Sequence, residues 1–574
     1  MSVDSEFEIT GPRRILLRIC MTALLVFLAG LAASMPAAFA YPSNNVPLGD
    51  WSYEALDKLA GFGLIHSDVY GMRPYTRLEV ARLVVEALNT EKKKKLKLPS
   101  LLKYFLNKFK CQYKSELAYW GYGKPEAPAI LTVKPIDLAQ MNYVYSQGRP
   151  QFYLNTNGVR QYPYGAGDIV GYEGTPLLSN DQGIVYGRGS NLGFQFASSF
   201  QIGDLFSGWV EPLFLVRQNG SPGTLSGGTP PVVGSYGTND VQLLAGYVKF
   251  SPLNSVEVEV GRDSLSWGQG YTGSFVLTDN APPLDMIKVS NPVPVILPWY
   301  FSYLGPFQYA FFCARLEDNR DFPDTLYAGE RLDFKPTPNL EIGASHTVLF
   351  GGEGSPSPGS FMNYLELMSF YKLGGAGYPE SHQAAVDFRY TMPYLWDAQL
   401  YGEYGGADTG FKPNIREFFF QDIGYMLGLY LPRITPDGRT DLRLEYTDNV
   451  NEGFYGTNDR IWYTNTVYVS GNTYDGLLLG DPIGPDARQG FVRVTRFVRN
   501  DLKLGLDGSY TERGPNMGRA ISWEFAVGTD VTYDINTDLT AMVRYAWGNI
   551  RNYDLEVGNN QDDNLLMAQV EYEF

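Results

Sequence analysis

Between residues 261 and 290 the chain reads GRDSLSWGQGYTGSFVLTDNAPPLDMIKVS, its densest set of side chains able to do chemistry. Saccharide recognition needs flat aromatic faces for the apolar sides of sugar rings and planar hydrogen-bonding groups for hydroxyls. Trp267 and Tyr271 supply the first kind, and Gln269, Asn280 and Asp285 the second. Arg262 and Asp263 add charge, and Pro282 and Pro283 turn the chain. The same residues suit another task, fixing a loop inside a barrel lumen, with Arg262 and Asp263 pairing with wall charges. Both readings stand at this point.

Catalysis has little material. The three histidines, His66, His346 and His382, leave a zinc site or a His-based triad poorly supplied. HTVLFGGEGS at 346–355 places a serine near His346, but no GxSxG elbow exists. Glu257 and Glu259 share one face of a strand with no acid–base asymmetry between them. Removal of an N-terminal signal with Cys20 leaves Cys111 and Cys313, a thin use that argues against a disulfide scaffold, and no CxxC or CxxCH exists to hold metal or haem. No cofactor and no metal is expected. The formal charge of −16 argues against nucleic acid.

The elements that carry these residues change character along the chain. Arg13, Arg14 and Arg18 precede ILLRICMTALLVFLAGLAAS, and Ala38-Phe39-Ala40 follows, the pattern of a cleaved secretory signal over residues 1–40. Residues 41–125 carry 14 Lys+Arg against 8 Asp+Glu; residues 126–574 carry 29 against 51. The net charges, +6 and −22, mark two regions with a boundary near Gly121-Tyr-Gly-Lys-Pro125.

The basic region reads as helical. Trp51, Ala55, Leu56 and Leu59 suggest one helix, closed by Gly61 and Gly63. Thr76 and Glu79 form a capping box, in which hydroxyl and carboxylate each satisfy a free amide, ahead of Val80, Leu83, Val84, Ala87 and Leu88 at helical spacing. Leu101, Leu102, Phe105 and Phe109 give a third helix, with Pro99 near its start. Lys92 to Lys95 read as a solvated face.

From about residue 128 the period becomes 2. In LTAMVRYAW, Leu539, Ala541, Val543, Tyr545 and Trp547 oppose Thr540, Met542, Arg544 and Ala546; ISWEFAVGTDVTY and LKLGLDGSYT alternate likewise. Tyr and Trp at strand ends, short turns such as DINTD and long polar loops such as GNNQDDN form the pattern of an outer-membrane barrel. Hydrocarbon offers no partner to an open sheet edge, so the sheet must close. At about 25 residues per strand with its loop, roughly 16 to 18 antiparallel strands are expected. Inward residues such as Asp387, Arg389, Glu403, Arg443 and Glu445 would form a lumen network, either crosslinking opposite walls or setting solute selectivity.

Three resemblances add to this reading. The final strand, LLMAQVEYEF, resembles the C-terminal signal read by the bacterial barrel-assembly machinery; this implies roles for Tyr572 and Phe574 and pairing of the last strand with the first. DWSYEALDKLAGFGLI followed by GMRPYTRLEVARLV resembles one S-layer-homology repeat, implying that Thr76, Arg77 and Glu79 contact peptidoglycan or another cell-wall polymer. The same helices equally suit a plug or cap.

The segment 261–290, with Trp-Gly-x-Gly and then Asn-Ala-Pro-Pro-Leu, resembles the capsule-assembly outer-membrane barrel family (Wzi). GPFQYAFFCARLED at 305–318, HTVLFGGEG at 346–354, QAAVDFRYTMPYLWDAQLYGEYGGAD at 383–408 and GLLLGDPIGPDA at 476–487 extend it over most of the barrel. This implies a non-enzymatic, monomeric protein of the bacterial outer membrane, embedded in lipid, with a periplasmic helical domain over 41–125 and a barrel over 126–574, attaching capsular or other surface polysaccharide to the cell. The alternatives are a substrate-selective porin tethered to the wall through its S-layer-like domain and a soluble periplasmic sandwich.

Overall fold

The computed structural model describes residues 41–124, 131–154, 169–220, 237–253, 255–356, 379–407, 423–450, 461–465 and 467–574. The expected signal at 1–40 and the expected boundary at 125–126 lie outside them. Eighteen strands close into one antiparallel barrel in which each strand pairs with its sequence neighbours. In chain order they are β1 (Leu131–Ser146), β2 (Gly189–Ile202), β3 (Phe206–Arg217), β4 (Asn239–Leu253), β5 (Val256–Asp263) and β6 (Leu284–Ser290). Then come β7 (Pro306–Arg315), β8 (Leu326–Thr337), β9 (Leu340–Phe350), β10 (Glu380–Met392), β11 (Ala398–Ala407) and β12 (Ile423–Leu431). β13 (Thr440–Asp448), β14 (Ala487–Arg499), β15 (Leu502–Arg513), β16 (Ser522–Asp534), β17 (Leu539–Arg551) and β18 (Gln561–Glu573) complete the wall.

Alternation follows from the pleat, which sends successive side chains to opposite faces. On β16 to β18, Val531 pairs with Val543 and Val543 with Ala568, all outward. The outward faces expose Val260, Ile287, Leu427, Leu506 and Val543, an apolar belt that water would not tolerate at this extent. Closure occurs where the sequence places it: Tyr572 of β18 sits opposite Ala139 of β1. The Phe574 amide donates to the Asp137 carbonyl at 2.9 Å. Among the described residues no helix is long and apolar enough to cross a membrane.

The two barrel ends differ. Connections 203–205, 338–339, 500–501 and 535–538 are short, whereas those at the other end include 147–188, 264–283 and 449–486. Four helices lie across the short-turn end: α1 (Trp51–Ala60), α2 (Arg77–Lys94), α3 (Ser100–Gln112) and α4 (Lys114–Tyr119). They share a core of Leu56, Leu59, Leu83, Val84, Leu102 and Phe109. Thr76 caps α2, accepting from the Glu79 amide at 3.0 Å. Glu79 does not close the other half of the box. Its buried carboxylate needs a counter-charge and takes two N–H groups of Arg82, both at 2.7 Å. Cys111 and Cys313 are both free thiols.

Candidate functional site

The inward faces of β4, β5 and β6 carry opposite charges at adjacent registers. Lys249 meets Glu257 at 2.7 Å and Lys288 meets Glu259 at 2.8 Å, all with essentially no solvent contact. A chain segment ahead of α1 enters this cluster: the Asn45 amide donates to Glu259 at 3.0 Å and to Asp263 at 2.6 Å. Glu257 and Glu259 are thus structural anions, each held by a lysine.

After β5 the chain turns into the lumen. Ser266–Trp267 pairs antiparallel with Met72–Arg73 from the segment between α1 and α2, a two-stranded sheet inside the barrel. Gly71 is needed there, because a Cβ would collide with Arg331 and Gln269. Gly268, at φ +119°, adopts a conformation closed to other residues and leaves no room for a Cβ beside Ser274 and Glu403. Trp267 is 0% exposed and packs with Met72, Leu277, Phe312, Tyr327, Tyr474 and Leu477. A lumen expected to be polar therefore contains an apolar core that joins plug, inward loop, outer loop and wall.

Carboxylates on the far wall pin the loop. Gln269 donates to Glu341 of β9 and Asp387 of β10, both at 2.9 Å, and accepts from Arg389 at 2.8 Å. The Tyr271 and Thr272 amides donate to Glu445 of β13 at 2.8 and 2.9 Å, and the Phe275 amide donates to Glu403 of β11 at 2.9 Å. Glu341 also accepts the Tyr70 and Gly71 amides at 2.9 and 2.8 Å. Arg331 sits at the centre, fully buried, with four N–H···O contacts of 2.7 to 3.0 Å to Asp333 and Asp387. Arg389 lies over the rings of Tyr70 and Tyr401, and Arg443 over Tyr271 and Tyr430 while meeting Asp57 at 3.2 Å. Lys58 of α1, also fully buried, meets Asp441 at 2.6 Å.

The outer mouth is closed from the other side. The Thr278 amide donates to the Leu479 carbonyl at 2.7 Å, and Asn280 donates to Leu478 at 2.8 Å. The Tyr463 hydroxyl donates to the Phe275 carbonyl at 3.1 Å and accepts from the Asp481 amide at 2.8 Å. Burial pushes the Asp481 carboxyl up to about 7, with Glu445 adding repulsion.

The residues singled out between 261 and 290 thus divide. Asp263, Trp267, Gln269 and Asn280 are buried inside the barrel, and Tyr271 lies in the lumen against Arg443 and Phe491. Arg262 and Asp285 instead face outward on adjacent strands, joined at 2.7 and 2.5 Å, with Arg315 of β7 next in register. Asp387, Arg389, Glu403, Arg443 and Glu445 all point inward. Sequence reasoning missed Arg331, Asp333, Glu341, Lys249 and Lys288. Their signal was available, since each is a charged residue at the inward phase of an apolar alternation.

Thr76, Arg77 and Glu79 find partners within the protein. The Thr76 hydroxyl donates to the Pro292 carbonyl at 2.9 Å, Arg77 meets Glu116 at 2.7 Å and stacks on Tyr113, and Glu79 is held by Arg82. His346 and His382 stack on one another with ring nitrogens 2.9 Å apart on the outward face of β9 and β10. Among the described residues no group of three or more His, Cys, Asp or Glu side chains is arranged to hold a metal.

The sequence and the fold have known relatives. A family model described as capsule assembly protein Wzi matches residues 159–565. The solved structure of Wzi, an outer-membrane protein involved in group 1 capsule assembly in Escherichia coli and described as a carbohydrate-binding β-barrel, superposes with a TM-score of 0.64 at 18% identity. That likeness, which covers 92% of this chain and 100% of that one, shows the fold. An uncharacterized 55.8 kDa protein in the cps region of Klebsiella pneumoniae is 30% identical over 159 residues, 26% of this chain and 31% of the relative, so the match spans about a third of that relative's length. A BenF-like porin from Pseudomonas fluorescens is far looser, with a TM-score of 0.41 at 11% identity over 77% of this chain and 99% of the porin. The family match runs over well more than half of the sequence, and the chain belongs to the Wzi capsule-assembly family of outer-membrane β-barrels.

Proposed function

We propose that this Wzi-family barrel holds capsular or related surface polysaccharide at the outer face of the outer membrane, without catalysing a reaction and without conducting solutes. Residues 41–125 form its periplasmic domain and residues 126–574 its barrel. The observation that carries the reading is the filled lumen. The 264–283 loop reaches from β5 to Glu341, Asp387, Glu403 and Glu445 on the far wall, and Asn45, Lys58, Tyr70 and Gly71 enter from the short-turn end. Short turns face the periplasm in outer-membrane barrels, which assigns the helices to that side and the long loops to the cell exterior.

A rigid closed barrel is a platform for its loops, and among the described residues no group is poised for catalytic chemistry. Within 261–290, the exterior pair Arg262 and Asp285 is the part available to a polymer, while Trp267, Gln269 and Asn280 position the loop. The region from 126 onward carries −22, so a neutral or basic polymer fits it better than a polyanion, unless arginines such as Arg262 and Arg315 act locally. Tyr572 and Phe574, at the seam strand, are the residues presented to the assembly machinery. The wall-tethered porin is less well supported, because the lumen is occupied and Thr76, Arg77 and Glu79 are engaged internally.

The test is deletion of the gene in its host, complementation, and measurement of surface polysaccharide in cell-attached and medium fractions. Transfer from cells to medium at constant total supports attachment. An unchanged partition together with steady single-channel conductance of the purified protein would favour the porin.

A further inference from the structure

The barrel rim at the short-turn end carries aromatic rings more exposed than the wall requires. Trp299, Tyr300 and Tyr303, on the 3-10 helix Trp299–Leu304 between β6 and β7, are 85%, 87% and 81% exposed. Tyr394 and Trp396, in the turn between β10 and β11, are 78% and 63% exposed. Both groups continue the apolar belt of the wall, where Ile287, Ile296 and Ile342 face outward. Tyr and Trp concentrate at membrane–water interfaces because one part of the ring is apolar and another polar.

Helix α2 runs along this same stretch of rim. At its start the Thr76 hydroxyl bonds the Pro292 carbonyl, in the connection that carries Trp299. Near its end, Lys94 acts electrostatically on Asp397, beside Trp396, together with Arg433 and His66. Its 18 residues span about 27 Å between these two points. Lys92, Lys93, Lys94, Lys95 and Lys97 follow in succession, all exposed, in the basic region of an otherwise acidic protein. Between the aromatic groups, α2 and the 66–67 segment form an open groove of ≈ 410 Å³ lined by Arg82, Glu86, Asn89, Thr90 and Lys93. Within it Glu86 accepts from the His66 amide at 2.7 Å and from the Ser67 hydroxyl, and Arg82 is held by Glu79 at 2.7 Å, so the groove's positive charge for a ligand comes from Lys93 at its lysine-rich end.

We propose that this face is a binding surface for anionic phospholipid headgroups of the inner leaflet: the rim aromatics sit at headgroup depth, and the Lys92–Lys97 run, at the end of the α2 groove, receives the phosphates. Lysines beside an anionic surface each add about 1 kcal/mol, roughly fivefold in affinity, and tryptophan-rich rims set the depth at which they act. Docking of the helices across the barrel end does not explain such a surface, because all five lysines are exposed. The helical domain would then be seated by lipid as well as by the lumen network.

The intact protein in detergent micelles is offered phosphatidylglycerol or phosphatidylcholine at equal concentration, and retained lipid is counted by native mass spectrometry. Retention is expected to favour phosphatidylglycerol by at least about tenfold, and to fall to within about twofold in K92Q/K93Q/K94Q/K95Q/K97Q and at high salt. In brominated phosphatidylglycerol bilayers, tryptophan quenching is expected to drop in W299F and W396F. Absence of a preference in the wild type, or an unchanged preference in the five-lysine variant, would overturn the proposal. So would displacement of the lipid by soluble glycerol phosphate, which would identify a small-anion site instead. Every substituted side chain is exposed, and a heat-modifiable gel shift verifies folding of each variant.

Discussion

Replacing Arg331 with methionine tests whether the lumen is held shut by charge. Its guanidinium makes four contacts of 2.7 to 3.0 Å with Asp333 and Asp387, at no solvent exposure. Methionine fills a comparable apolar volume but leaves two buried carboxylates without their counter-charge. Gln269 compensates only in part, through one amide bond to Asp387. Breaking a buried ion pair from one side costs about 3–5 kcal/mol, whereas neutralising the whole cluster is close to neutral. R331M is therefore expected to lower the unfolding free energy by about 3–5 kcal/mol, and R331M/D333N/D387N to regain most of that loss. Urea-dependent folding into lipid vesicles, read by tryptophan fluorescence and gel mobility, measures both. A loss of under about 1 kcal/mol for R331M, or a triple variant as unstable as the single one, would refute electrostatic closure.

Three further outcomes follow from individual contacts. Thr76→Ala removes the α2 cap and the bond to Pro292 and is expected to cost about 1–2 kcal/mol, seen as faster amide exchange in the first turn of α2. Asp481, buried with its Oδ2 lacking a partner among the described residues, titrates near 7 when folded, well above an ordinary carboxyl. The folded state thus binds a proton that the unfolded state has lost between about pH 4 and 7, and stability of the mouth falls as pH rises through that window. Protection of the amides over 467–486, taken relative to the intrinsic exchange rate at each pH, should be greater at pH 5 than at pH 8, and D481N should abolish the difference; persistence of it in D481N would remove Asp481 as the cause. Deleting Tyr572 to Phe574 takes away the Ala139–Tyr572 pairing and the Phe574 amide bond at the seam. Membrane-inserted protein in cells should then drop severalfold while the mRNA level stays constant.

Much of the wall was legible in the sequence because a strand writes its two environments at period 2. Val543, Tyr545 and Trp547 had to face one medium, and Arg544 another, whatever their partners turned out to be. The capping threonine of α2 and the apolar stripe that follows it were equally local. The site was legible only as a set of residue types. Arg262 and Asp285 are 23 residues apart in sequence and lie face to face outside the barrel. Trp267 and Gln269, a few positions from Arg262, are enclosed within it, because the chain leaves the wall after Asp263.

The sequence by itself determined that the chain would form a closed sheet with an apolar exterior and basic helices ahead of it, since these depend on periodicity and charge within short windows. Tertiary structure alone decided what fills the interior. Pairing of Met72–Arg73 with Ser266–Trp267 joins residues 193 and 195 positions apart, that of Lys58 with Asp441 383, and that of Gly71 with Glu341 270. No local pattern specifies such partners. They are selected by the closing of the barrel, which brings the inward charges of distant strands into one dry space where each must find a counterpart.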